Sequence, residues 1–169
     1  PVLDLLDDSQ TTQSLIIVPS RELALQIEQV FKNMGSGCKV TCCYGGHLRE
    51  TEENNLLQAP ALIIGTPGRL VDHIRRGNIN TSGIKTLVLD EFDKSLELGF
   101  LEEMKFILGS LPNVEKRMLT SATNAVEIPE FVQMKAPVTL NFLPETETAN
   151  ESLRINTLLS DDKDKLHTL

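Results

Sequence analysis

With 169 residues and 40% hydrophobic content, the chain is long enough for one domain with a proper core and too apolar to remain disordered. No apolar run approaches the ~20 residues of a membrane helix, and no basic-then-apolar leader opens the chain, so neither membrane insertion nor export is expected. The net charge of −8 argues against holding nucleic acid by bulk electrostatics, which leaves local amide, hydroxyl and arginine contacts for any such role.

In chain order, "LIIV" (15–18) predicts the first strand, followed by a helix over "SRELALQIEQVFKNMG". There Leu23, Ala24, Ile27, Val30, Phe31 and Met34 form one apolar stripe, Ser20 is placed to cap the start and Gly35 to end it. "VTCCY" (40–44) is a second strand; with Cys38 close by, Cys42 and Cys43 make an odd, clustered set that fits neither a disulfide framework nor a zinc site. They read as reduced structural thiols of a cytosolic protein. "ALIIG" (61–65) is a third strand, and "PGRLVDHIRRG" a helix with Pro67 near its first position and Gly77 past its last. "TLVLD" (86–90), "RMLTSA" (117–122) and "VTLNF" (138–142) complete six strand candidates, with short helices expected in "FLEEMKFILGSL" and, interrupted by Pro129, around "EIPEFVQM". His47, His73 and His167 are scattered without metal-ligand spacing and are expected to be solvated, as is the tail "DDKDK".

Most of the strand runs are continuous rather than alternating, which suits strands covered on both faces. Their alternation with helices predicts right-handed βαβ units: an α/β fold with a doubly wound, mostly parallel sheet. Such sheets bind ligands beyond the carboxyl ends of their strands. "PSRE", "YGG", "GTPGR", "DEFD" and "SAT" each follow one of the first five runs, so five polar or glycine-bearing loops share that edge. Within "VLDEFDKSLELGF", Asp90, Glu91 and Asp93 crowd a strand end. Taken alone, they are either a solvated acidic loop or a site for a divalent cation and an activated water.

The ordered set resembles the first RecA-like domain of a DEAD-box RNA helicase, a fold of the P-loop NTPase type, from about Leu15 to Val138. "PSRELALQ" resembles motif Ia, with Ser20 where threonine is usual; "YGG" resembles the GG motif, "TPGR" motif Ib, "DEFD" motif II and "SAT" motif III. Phe92 stands where the family has the alanine of its name, and no G-x-x-x-x-G-K-[ST] occurs; "GSGCKVT" has its glycines and lysine too close together. The Q motif and the second domain are likewise missing. The resemblance therefore implies a partial RecA-like domain over 1–143, truncated at its N-terminus, with 144–169 as the interdomain linker and the start of a second RecA-like domain. It also implies a phosphate-loop strand between the "SAT" strand and "VTLNF", absent here. That absence predicts weak ATP binding and little stability for these residues alone.

By the same resemblance, Asp90 holds Mg²⁺ through water and Glu91 orients and deprotonates the water attacking ATP. Asp93 contacts the "SAT" loop, where Ser121 and Thr123 link nucleotide state to the RNA face. Pro19, Ser20 and Arg21, Gly45 and Gly46, and Thr66, Pro67, Gly68 and Arg69 are the RNA-backbone set; helix N-termini and bare glycines let a phosphate chain approach without base readout. The cofactors implied are ATP and Mg²⁺, the partners RNA and the second domain, and the location the cytoplasm. Two other readings compete with ATP-dependent RNA unwinding or remodelling. One is an RNA-binding scaffold of the same fold without hydrolysis, which the three carboxylates oppose. The other is a metal-dependent nuclease, which lacks the further carboxylates and histidines of a two-metal site.

Overall fold

A computed structural model describes residues 1–46, 48–123, 128–134 and 136–142. Five strands alternate with helices: β1 (Ser14–Ile17), α1 (Arg21–Asn33), β2 (Val40–Cys43), α2 (Arg49–Leu56), β3 (Leu62–Gly65), α3 (Pro67–Arg75), β4 (Thr86–Leu89), α4 (Phe92–Glu97), α5 (Leu101–Gly109) and β5 (Lys116–Leu119). Single 3-10 turns lie at Leu3–Leu5, Thr81–Gly83 and Glu130–Val132. The sheet is wholly parallel, in the order β2-β3-β1-β4-β5. It belongs to the compact unit Pro1–Pro137; Val138–Leu169 form a second unit.

Side-chain alternation explains why the sheet is doubly wound. Leu15 and Ile17 of β1 join Ile63, Leu87 and Leu89 in one apolar layer, which α3 covers with Leu70 and Val71 and α5 with Met104 and Ile107. Ile16 and Val18 join Leu62, Ile64 and Val88 in the opposite layer, under Ala24 and Phe31 of α1. β1, β3 and β4 are buried along their whole length, whereas the edges β2 and β5 are only partly covered. This is the expected consequence of continuous apolar runs in the centre of a parallel sheet.

Local signals placed the ends of the helices. Ser20 Oγ accepts the Leu23 N–H at 3.2 Å, capping α1. Pro67 opens α3, and Gly77 follows it with φ of +74°. The α1 stripe is narrower than expected, because Val30 and Met34 are exposed while Ala24 and Phe31 carry the burial.

Two expectations need correction. "VTLNF" forms no strand: its residues pair with no strand among the described residues, and a strand needs a neighbour to take its N–H and C=O groups. Val138, Leu140 and Phe142 are all exposed. His73 is fully buried rather than solvated, for reasons given below. His47, His167 and the linker expected over 144–169 lie outside the described residues. Among the described residues around Pro129, the turn Glu130–Val132 is the one helical element. No helix among the described residues is long and apolar enough to cross a membrane.

Candidate functional site

The chain leaves β1 toward β2 on one side and reaches β4 and β5 on the other, so the sheet changes winding direction between β1 and β4. In doubly wound sheets that is where loops diverge and leave a crevice at the carboxyl edge. The Asp90 N–H donates to Ile17 O at 2.9 Å, which seats the acidic turn beside the exit of β1.

Asp90 and Glu91 are held from the neighbouring strand. Leu89 pairs with Leu119 in register, so the next residues outward, Asp90 and Thr120, stand side by side. Thr120 Oγ1 donates to Asp90 Oδ1 and accepts the Glu91 N–H at 3.1 Å; the Phe92 N–H donates to Thr120 O at 3.0 Å. Thr120 thus fixes the turn through three hydrogen bonds, and the sequence reading did not single it out. Strand order would have pointed to it, since a residue just past β5 must neighbour one just past β4.

Glu91 adopts left-handed backbone (φ 46°, ψ 52°) and is exposed, while Phe92 after it is 2% exposed and buried in the core. The turn between them separates a carboxylate facing solvent from an apolar anchor. Asp93, in the first turn of α4, is turned away from Glu91 toward the loop after β5: Thr123 Oγ1 donates to Asp93 Oδ2 at 3.0 Å. Ser121 Oγ in turn accepts the Thr123 N–H at 3.1 Å and donates to Thr123 O at 2.9 Å. Burial alone would raise the Asp93 pKa, but the Thr123 hydroxyl, the nearby Ser121 hydroxyl and local backbone N–H groups outweigh it and hold the carboxyl below its ordinary range.

The second set of candidate residues gathers around the exits of β1, β2 and β3. Ser20 is engaged in its cap, whereas Thr66 makes no side-chain cap to α3. Pro19 and Pro67 are buried; Arg21, Gly45, Gly46 and Gly68 are exposed. Gly46 has φ of +97°, and a Cβ there would stand 3.3 Å from Arg21 Nη1, so the arginine packs against the glycine loop. Gly65 is required by closeness alone: a Cβ would meet Cys43 O at 2.6 Å and the Leu70 side chain at 2.8 Å.

Beneath this surface lies a group that sequence reasoning missed. Glu52 of α2 is 1% exposed. Its Oε1 accepts the Tyr44 N–H at 2.8 Å, and its Oε2 lies 2.6 Å from His73 Nε2 and 3.4 Å from Arg69 Nη1. The amide of Asn78 donates to His73 Nδ1 at 3.0 Å and to Glu53 Oε1 at 3.3 Å. Nδ1 is therefore an acceptor, and the ring proton sits on Nε2, facing Glu52. Cys43 joins the same knot, with the thiol and the Glu52 and His73 ligand atoms all within 4.8 Å of one another. That spacing suits a metal ion, but Glu52 and His73 already have protein partners, and burial pushes the Cys43 thiol far above its ordinary range. Hydrogen bonds account for the cluster.

Comparison with known proteins identifies the family and the fold. Residues 1–131 match the family model described as DEAD/DEAH box helicase, and the chain belongs to that family. It is 33% identical over 163 residues to ATP-dependent RNA helicase RhlB of Shewanella sp. (strain ANA-3), covering 93% of this chain and 37% of that protein. Among solved structures it resembles a DEAD box protein from the hyperthermophile Methanococcus jannaschii (TM-score 0.69, 30% identity, 78% of this chain and 36% of that one). A hypothetical ATP-dependent RNA helicase from Sulfolobus tokodaii is similar at TM-score 0.64 and 33% identity, over 72% of this chain and 36% of that one. The fold is thus that of a RecA-like DEAD-box domain, and the chain spans little more than a third of the relatives it matches.

Proposed function

We propose that this chain is the first RecA-like half of a cytoplasmic ATP-dependent RNA helicase, in which it supplies the metal-and-water side of the nucleotide site and part of the grip on RNA. The observation that carries the reading is the division of labour within one acidic turn. Asp90 through its carboxylate and Glu91 through its backbone N–H are held by Thr120, just past β5, yet Asp90 is partly exposed and Glu91 exposed, while Asp93 is committed to Thr123. A solvated acidic loop has no need of such bracing.

The donor set fits Mg²⁺. A hard, partly exposed carboxylate with one oxygen fixed by a hydroxyl suits an ion that retains most of its water shell, and Asp90 would hold it. When bound, the ion would neutralise charge developing on the phosphate oxygens of ATP. Glu91 would orient a water and take its proton, and the Thr120 anchor would keep that carboxylate in place during the transfer. Phosphate binding itself would come from residues other than these, since the sequence contains no phosphate loop. Asp93, Ser121 and Thr123 would relay nucleotide state toward the RNA-facing loops. There, Pro19, Ser20, Arg21, Gly45, Gly46, Thr66, Pro67, Gly68 and Arg69 would meet the backbone through amides, hydroxyls and charge rather than through bases. A second RecA-like domain would close the nucleotide site.

The test is made in the full-length protein. Glu91→Gln preserves size and the backbone bond to Thr120 while removing the base, so RNA-stimulated turnover should fall by about 10²-fold or more with nucleotide and RNA affinities retained. Asp90→Asn should instead raise the Mg²⁺ concentration needed for nucleotide binding. Unchanged turnover in Glu91→Gln would remove the assignment of the base.

A further inference from the structure

We infer that Glu52 is a positioning residue for the RNA-facing loops: a buried carboxylate that sets the spacing between the glycine loop after β2 and the start of α3. The inference rests on the RNA reading above. Tyr44 immediately precedes Gly45 and Gly46, whose exposed backbone has no side chain of its own to anchor it. The Tyr44 N–H bond to Glu52 Oε1 at 2.8 Å holds that loop from within. Across the same carboxylate, Oε2 contacts Arg69 in the first turn of α3 and His73 one turn later. One side chain, on α2, therefore joins the end of β2 to α3 at the edge where two of the RNA-candidate motifs emerge.

Burial makes this connection stiff. Burying a carboxylate to 1% exposure is costly unless charge and hydrogen bonds compensate it. The Arg69 guanidinium, 16% exposed, is drawn inward to do so, and His73, fully buried and oriented by Asn78, supplies the second donor. Moving the glycine loop relative to α3 would break one of these contacts in the interior. Phosphates along a single strand are regularly spaced, so fixed spacing between their amide and guanidinium partners favours binding in the way that preorganisation generally does.

The experiment uses the full-length protein, with Glu52→Ala and the conservative Glu52→Gln. Anisotropy of a fluorescein-labelled oligouridine measures RNA affinity, and amide hydrogen exchange of the ligand-free protein measures local order. Glu52→Ala should weaken oligouridine binding about tenfold and release the amides of residues 44–46 to nearly unprotected exchange, while those of β1 and β3 accelerate only as far as the loss of global stability requires. Glu52→Gln, which keeps the acceptor for Tyr44 but not the charge facing Arg69, should fall between wild type and Glu52→Ala; if Glu52→Ala does not fold, Glu52→Gln decides. Protection of residues 44–46 that falls only in step with global stability would reduce Glu52 to general stability and overturn the inference. So would a folded Glu52→Gln that binds oligouridine as well as, or better than, wild type. If the wild-type protein binds no oligouridine, the RNA reading falls and this inference with it; intact wild-type binding beside unaffected variants sinks this inference alone.

Discussion

Asp90 and Glu91 on one side of β1, and Glu52 on the other, are carboxylates at the same edge of one sheet, yet their surroundings differ in kind. Asp90 and Glu91 are braced by a hydroxyl and backbone groups and remain accessible, with no basic side chain paired to them among the described residues. Glu52 is enclosed and faces an arginine, a histidine and a backbone N–H. The difference teaches that a carboxylate near a strand end is available for chemistry only when the protein's own donors orient it without saturating it. Counting acids at an edge does not separate the two cases; the identity of their partners does.

That contrast makes its strongest claim on stability. Removing a buried ion-pair partner leaves an uncompensated charge, so Glu52→Ala should lower unfolding free energy by about 3 kcal/mol, while Asp90→Asn should change it by less than about 1 kcal/mol. Urea denaturation of both variants checks this, and equal losses would erase the distinction. Asp93 offers a smaller test within the acidic turn. Its carboxyl pKa is depressed below 3.8, so its contribution to stability is full above the ordinary aspartate value and is lost as pH falls through the depressed one. The stability of Asp93→Asn should accordingly depend less on pH than that of wild type between about pH 5 and pH 3. Parallel pH profiles would show that the Thr123 hydroxyl and its neighbours do not hold the ionised form. The smallest effect concerns thiols. Burial raises Cys42 to about 12 and Cys43 further, so both should resist alkylation at pH 8 in the native state. Peptide mapping after iodoacetamide treatment reads this directly, and rapid labelling of Cys43 would mean that the Glu52 knot opens.

What was legible in the sequence follows the same line. Apolar runs such as "LIIV" and "LVLD" predicted the central strands because those strands are buried on both faces, and Ser20 and Pro67 marked helix starts through local chemistry that needs no tertiary context. The acidic turn could be placed at the working edge from the same pattern. α2 was invisible because only Leu56 and Glu52 of its eight residues are buried, too few for an apolar stripe. His73 read as polar because its partner lies 21 residues away, on an element with no signature of its own. Thr120 required knowledge of which strands are neighbours. "VTLNF" had the composition of a strand but not the neighbour, and composition alone does not supply one.

The backbone of Glu91 carries a consequence of another kind. At φ 46° a side chain with a Cβ is held about 1 kcal/mol above what glycine would require, and folding alone would favour glycine or asparagine at that position. A sequence that keeps glutamate there accepts a less stable turn in exchange for a carboxylate. On the function proposed above, that side chain would set its chemistry against the strain of the turn, a compromise between durability and work in a single dihedral angle.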